Sequence, residues 1–362
     1  MEMDQGIPDS LLDVLCGYAS NLHTKFLSFP TDLSLDRVQV FLVDKILLNR
    51  HFSSYPASAQ YNKLFWKHDG HYFTTLAYTE LIRKDVELDS RIYEHYVSFV
   101  STASSSEGFG AKPPSPSYIT YFWLNGSQYE HSTLMESRKL IEEGTTGFTT
   151  WPASMVLADY LTSHSDLVSG KSVLELGSGI GLLGIVVATL QVRSQLSSRL
   201  CLTDVRPDVL DRCQNNLTLP CNISSSHPAL SCLLLDWTDA FDKLTNQGTS
   251  DIMSGLDHDL IIGADIVFDP VIIPALVATL SLALQNKENT SALLALTVRN
   301  AATIAEFLST ARKGFIVEEI ERDNQRIGRM YMHALQDTAF VSLTSVHLGH
   351  SHRLGEYNAV VA

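Results

Sequence analysis

The chain is short of cysteine, of basic charge and of long apolar runs, and each shortage excludes something. Five cysteines, Cys16, Cys201, Cys213, Cys221 and Cys232, are scattered over 362 residues with no CxxC pair. A disulfide framework or a thiolate metal site needs closer, paired spacing. A reducing compartment is therefore expected, with Cys201 and Cys232 as small core residues of apolar runs. Lys and Arg number 26 against 40 Asp and Glu, a net charge of −14. Binding a nucleic-acid backbone needs a basic surface that displaces counterions, so no nucleic-acid partner is expected. An acidic surface suits a basic ligand or a lysine-bearing protein. No apolar run approaches the ~20 residues of a membrane span. The first residues also lack the charged-then-apolar pattern of a secretory leader. The expectation is a cytoplasmic monomer without membrane contact, with the nucleus left open. His347, His350 and His352 invite a metal reading, but they fall in a polar segment after the last expected strand, and no metal is expected.

What is present has the composition of a globular protein, 45% hydrophobic and 18% charged, and the length of two domains or of one with an extension. Residues 1–100 read as helical. Apolar spacing predicts helices near Ser10–Ser20, from Ser34 toward Arg50, over Thr75–Lys84 and over Ser90–Val100. In Tyr55–Lys67, Tyr61, Leu64 and Phe65 share one helical face, which implies packing. Residues 101–117 are rich in Ser, Gly and Pro and read as a linker. Tyr118–Leu124 and Gln128–Leu134 flank Asn125-Gly126, a hairpin signal, and a second domain, 118–362, is expected to begin there.

The most informative stretch runs from Ser172 to Gly184. Val173, Leu174 and Leu176 form a short apolar run of the kind a buried parallel strand shows. Gly177, Gly179 and Gly181 follow around Ser178, and a helix then runs through Leu190. Strand, glycine turn and helix bring backbone close to a ligand. A dinucleotide fingerprint would want glycine at position 182, which is Leu. Glu175, just before the turn, suits a cationic ligand group and not a pyrophosphate. An ordinary tight turn in another α/β protein is the alternative.

Later strand ends add to it. Arg199–Thr203 ends in Asp204, at the separation where nucleotide-binding folds place an acid on ribose hydroxyls, though a helix cap is also open. Leu230–Leu235 ends in Asp236-Trp237, a pair able to accept a hydrogen bond from an adenine amino group and to pack on its ring. His258–Ala264 ends in Asp265-Ile-Val-Phe268, followed by Asp269-Pro270, a cap and first turn. Ala292–Val298 leads into Arg299 and Asn300, the latter a helix cap; Phe315–Glu321 and Phe340–His347 complete the strands as an antiparallel pair. Trp151 precedes a helix opened by Pro152. It is either a core anchor or an aromatic wall able to stabilise a sulfonium or ammonium.

This ordered set resembles the seven-strand S-adenosylmethionine (SAM) methyltransferases. Gly144–Trp151, the Asp265–Phe268 turn and Thr297-Val-Arg-Asn300 are similar to the family 16 protein-lysine methyltransferases. The Tyr55–Lys67 segment is similar to the extension of the eukaryotic elongation factor 2 lysine methyltransferases. The resemblance implies an α/β fold with a seven-strand Rossmann-like sheet, mostly parallel with the last strand antiparallel, behind a helical N-terminal substrate-recognition region. It implies S-adenosyl-L-methionine as cofactor, held by Trp151, Glu175, Gly177, Ser178, Gly179, Gly181, Asp204, Asp236, Trp237 and Ala264. It implies Asp265 and Phe268 at the transferred methyl group, and a lysine of elongation factor 2 as substrate. Phe268 stands where the family has Tyr, so an aromatic wall is expected there but no phenol hydroxyl. The rivals are a methyltransferase acting on another protein or a small molecule, and a SAM-binding scaffold that transfers nothing. An NAD-dependent oxidoreductase is disfavoured by Leu182.

Overall fold

The computed structural model describes residues 6–67, 89–103, 116–137, 142, 144–242, 246–321 and 341–348. The expected helix over Thr75–Lys84 lies outside them, as do His350 and His352 and most of the expected linker. The chain divides after Thr149 into two compact units.

The first unit carries helices α1 (Asp9–Ala19), α2 (Leu35–Leu42, continued by a π-helical turn over Val43–Leu47), α3 (Arg50–Ser54), α4 (59–67) and α5 (Ser90–Ala103). Strands β1 (Ser117–Asn125) and β2 (Gln128–Glu136) form a hairpin whose turn has Gly126 at φ +62°. Leu11, Leu12, Val14 and Leu15 of α1 are buried, as their spacing requires. They meet an aromatic core in which Tyr18 lies 4.7 Å from Phe65 and 5.1 Å from Phe52. In α4 the buried face holds Tyr61, Phe65 and Trp66, while Leu64 is exposed, so the stripe sits one residue from its expected place. The Tyr61 hydroxyl, donating to the Gly17 carbonyl at 3.1 Å, fixes that rotation.

The hairpin belongs to this unit and does not open the second one. Phe122 lies in the helical core, Tyr118 N–H donates to the Pro56 carbonyl at 3.2 Å, and His51 Nε2 sits 3.0 Å from Thr120 Oγ1. Burial pushes the His51 imidazole down to about 4. The folded unit thus binds fewer protons here than the unfolded chain, so stability is lost as pH falls from 6.5 toward 4. The full shift corresponds to about 3 kcal/mol at most. The expected result is an acid-sensitive unfolding transition in that window, which His51→Gln flattens; calorimetric scans at stepped pH check it.

The second unit is a seven-stranded sheet ordered β5-β4-β3-β6-β7-β9-β8. Its strands are β3 (Ser172–Leu176), β4 (Arg199–Asp204), β5 (Leu230–Leu234), β6 (Leu260–Ala264), β7 (Ser291–Thr297), β8 (Phe315–Ile320) and β9 (Val341–Leu348). β3 through β7 pair in parallel, and β9 enters antiparallel between β7 and β8. The helices are α6 (Pro152–Ser163), α7 (Leu182–Ser194), α8 (Pro207–Leu217), α9 (Trp237–Phe241), α10 (Asn246–Leu256), α11 (Ile273–Leu284) and α12 (Ala301–Ala311). α7 is buried from Leu182 to Gln191, which explains why it is apolar all round. Leu174, Leu176, Ile261, Leu276, Leu294 and Phe307 anchor one core of this unit. The strand order reverses between β3 and β6, and open α/β sheets hold ligands outside the carboxyl ends at such a point.

Candidate functional site

The glycine turn after β3 is built from left-handed backbone. Gly177, Gly179 and Gly181 have φ of +65°, +52° and +92°, a region that costs other residues about 1–2 kcal/mol. Space is as restrictive as conformation. A Cβ at Gly177 would stand 2.8 Å from Ile266 Cγ2, and one at Gly181 would stand 2.8 Å from Cys213 Sγ. Ser178 braces the turn on β4, donating from N and Oγ to the Thr203 carbonyl at 2.9 and 3.1 Å.

Asp204 ends β4 and turns its carboxylate toward the glycines. Its Oδ2 accepts from Gly179 N–H at 3.1 Å and its Oδ1 from Arg206 N–H at 3.1 Å. Burial, the larger cause, pushes its carboxyl above the ordinary carboxylate range, and these backbone donors oppose the rise. Asp204 thus braces the glycine turn and the chain entering α8, whose N-cap residue is Arg206. Asp236 caps α9, its Oδ1 accepting from Thr238 N–H at 2.9 Å and Thr238 Oγ1 at 2.7 Å. Two atoms of the Trp237 ring lie 3.5 Å from where a Gly177 Cβ would be, so the indole lies beside the glycine turn.

Glu175 departs from expectation. Its side chain is 3% exposed, and Oε2 lies beneath the first turn of α7, 3.2 Å from a Cβ built at Gly184. It sits behind the glycine turn instead of facing a ligand openly, because Gly184 leaves room for it. Oε2 has no hydrogen-bond partner. Burial, reinforced by Cys232 and Asp204, holds this acid well above the ordinary carboxylate range. The folded state therefore keeps a proton that the unfolded chain releases, and stability falls as pH rises from the ordinary range toward the folded value. Glu175→Gln is expected to remove that slope and raise the melting temperature at pH 8 relative to the parent chain; melting curves from pH 5 to 9 measure both.

Beyond Ala264 at the end of β6, three residues from separate elements meet. Asp265 has φ +60°, left-handed backbone that Asp tolerates and most residues avoid. Its side chain is 6% exposed, and Oδ2 accepts from Arg299 Nη2 at 2.5 Å. Its other oxygen, Oδ1, is buried without a partner. The Arg299 guanidinium lies over the Trp151 ring, 4.5 Å from its centroid. Trp151 stands at the N-cap of α6, its carbonyl accepting from Ser154 N and Oγ. Asp269 caps the turn begun by Pro270 through Val271 N–H at 2.9 Å, and Asn300 caps α12 through Ala302 N–H at 3.0 Å. Both are structural, as expected. Phe268 is not part of the cluster. It is 60% exposed and makes no ring contact among the described residues, so the expected aromatic wall is not formed by it. The turn from Asp265 buries Ile266 and Val267 instead, which leaves Phe268 outward.

Arg299 completes the cluster without belonging to any expected site; a cation directly after a strand, in an acidic chain, is the signal that points to it. A separate cleft of about 290 Å³ lies at the amino ends of β3, β4 and β5, lined by Ser172, Arg199, Leu230 and His258 among others. It holds none of the expected site residues.

Residues 132–313, half of the chain, match the profile of a family described as lysine methyltransferase. The chain belongs to that family. Among its relatives is the protein-lysine N-methyltransferase EFM3 of Chaetomium thermophilum, 34% identical over 55% of this chain and 58% of that protein. The human protein-lysine N-methyltransferase EEF2KMT is 30% identical over 61% of this chain and 66% of its own length. EFM3 of Saccharomyces cerevisiae is 25% identical over 63% and 65%. The matches thus span less than two thirds of each of these relatives.

The methyl donor of such a family member, S-adenosylmethionine, presents an ammonium, a sulfonium, a ribose diol and an adenine. The residues of this lysine methyltransferase family member fit it. The strand ends offer the carboxylates of Asp204 and Asp265, and the glycine turn bears no lysine or arginine. The same set does not fit a pyrophosphate. Among the described residues no helix is long and apolar enough to cross a membrane, and no group of His, Cys, Asp and Glu is arranged to hold a metal.

Proposed function

We propose that this chain is a protein-lysine N-methyltransferase that uses S-adenosylmethionine and acts on a lysine of a translation factor, elongation factor 2. The observation that carries the chemistry is the cluster of Asp265, Arg299 and Trp151 at the switch point of the sheet, beside the glycine turn. The donor supplies an electrophilic methyl group on a sulfonium. Gly177, Gly179 and Gly181 give it close backbone approach, Asp204 takes the ribose side, and Asp236 with Trp237 takes the adenine. Glu175, behind the turn, supports the methionine end.

On the acceptor side the task is to present a neutral amine, since a free lysine is almost wholly protonated at neutral pH. Asp265 Oδ1, unpartnered and buried, accepts one N–H and points the nitrogen lone pair at the methyl carbon. Trp151 excludes water from the approach. Positioning supplies most of the acceleration, and well-oriented intramolecular reactions gain about 7–11 kcal/mol.

The substrate assignment is supported by the similarity of Tyr55–Lys67 to the extension of elongation factor 2 lysine methyltransferases. The helical first unit, from this reading, recognises the folded substrate in the cytoplasm. Purified elongation factor 2 incubated with methyl-labelled donor and this protein should take label on a lysine found by mass spectrometry. Label on another protein instead would overturn the substrate and keep the activity. Donor binding with no transfer to any cellular protein would make the chain a scaffold.

A further inference from the structure

We propose that Arg299 is a positioning residue that holds Asp265 charge-balanced, so that the acceptor lysine is bound as a neutral amine. The inference rests on reading Asp265 as the acceptor-side residue. A buried carboxylate facing an amine has a built-in fault: unbalanced, it favours the ammonium, whose lone pair is unavailable. The structure shows how the fault is avoided. Arg299 Nη2 engages one oxygen of Asp265, Oδ2, at 2.5 Å, and leaves the other, Oδ1, buried and unpartnered. The guanidinium stays charged at any pH of interest, so the Asp265–Arg299 pair is neutral as a unit. A neutral pair still offers Oδ1 as an acceptor for an amine N–H but no longer pulls a proton onto the nitrogen. Stacking over Trp151, 4.5 Å from the ring centroid, keeps the guanidinium in place. Lysine at this position would give a point charge without the planar stack.

The surroundings leave the balance to Arg299. Asp265 pairs through its backbone with β7 at Ala295, and Arg299 is the charged side chain that follows that strand. The first turn of α6, Pro152 to Ser154, carries no charge. On the β3 side Glu175 lies enclosed beneath α7, and on its own loop Asp269 is half-buried and occupied as a cap. Beyond β5, Asp236 caps α9.

The test is the pH profile of methyl transfer from pH 6.5 to 10 for the parent chain, Arg299→Met and Arg299→Lys. Arg299 is 46% exposed on its side chain, so truncation leaves the core untouched. With Met the acid limb of kcat is expected to move up by about one pH unit, giving a loss of about tenfold at pH 7 that largely recovers at pH 10. Lys should fall between Met and the parent. A loss equal at every pH, or none, would overturn the proposal. The second measurement does not need turnover. In nitrogen-15 NMR titrations of labelled n-butylamine with donor-loaded protein, the bound amine should deprotonate at a lower pH in the parent than in Arg299→Met. Equal midpoints would sink the charge-balance role even if transfer is seen, whereas absence of transfer in the parent with distinct midpoints would count against the proposed activity alone.

Discussion

Replacing Asp265 by asparagine should lower kcat for methyl transfer by about 10²–10³-fold while leaving donor affinity within a few-fold. Asparagine is the informative change because it tolerates the left-handed backbone at φ +60° and keeps the shape of the side chain. Alanine would add strain of about 1–2 kcal/mol and blur the result. The substitution removes the carboxylate that Arg299 engages and that, in the proposed reaction, receives the acceptor amine, and it leaves the guanidinium without its partner charge. Its effect should therefore fall on the chemical step. Single-turnover rates with calorimetric donor titration separate the two quantities. An unchanged rate would remove Asp265 from the reaction.

Gly177→Ala should have the opposite signature, weakening the donor by about a hundredfold and destabilising the second unit by about 1–2 kcal/mol. The added methyl meets Ile266 Cγ2 at 2.8 Å and the Trp237 ring at 3.5 Å, and the φ of +65° disfavours any Cβ. Ile266 cannot retreat freely, being buried in the core under the sheet ends. The turn must shift instead, and the shift displaces the backbone that faces the ligand. For a unit of this size each kcal/mol corresponds to about 2–4 °C in melting temperature. Gly248→Ala is the control: within α10 an added Cβ meets nothing within 4 Å. There the helix should gain up to about 1 kcal/mol. Equal donor affinities for the two variants would dissociate the glycine turn from the ligand.

These sites were legible to different degrees, for physical reasons. Parallel strands buried on both faces must be continuous apolar runs, and each ends where polarity begins, so β3, β4, β6 and β7 were read directly, with the acids Asp204 and Asp265 at the ends of β4 and β6. The caps Asp269 and Asn300 were read because Asp-Pro and a lone Asn before an apolar helix have few other uses. The turn glycines were legible because left-handed backbone selects glycine. Depth was not legible. Whether Glu175 faces a ligand or lies behind the turn depends on Gly184, nine residues on, and on Leu202 of a neighbouring strand. The pairing of Asp265 with Arg299 joins the ends of two adjacent strands across 34 positions, and no local pattern announces it. α10, polar over much of its length and burying Thr249 and Met253, was not anticipated. The hairpin was read correctly as a hairpin, yet its allegiance was decided by Phe122 entering the helical core.

The antiparallel β9 carries a consequence for biosynthesis. It lies between β7 and β8, so its neighbour on each side is a strand made earlier. Until residue 348 is available, β7 and β8 have no hydrogen-bonding partner between them, and the nascent polypeptide holds an open, apolar edge. Such an edge recruits other chains. Premature termination before Val341 should thus yield material that aggregates or is degraded, even though every strand end that bears the candidate site has already been synthesised.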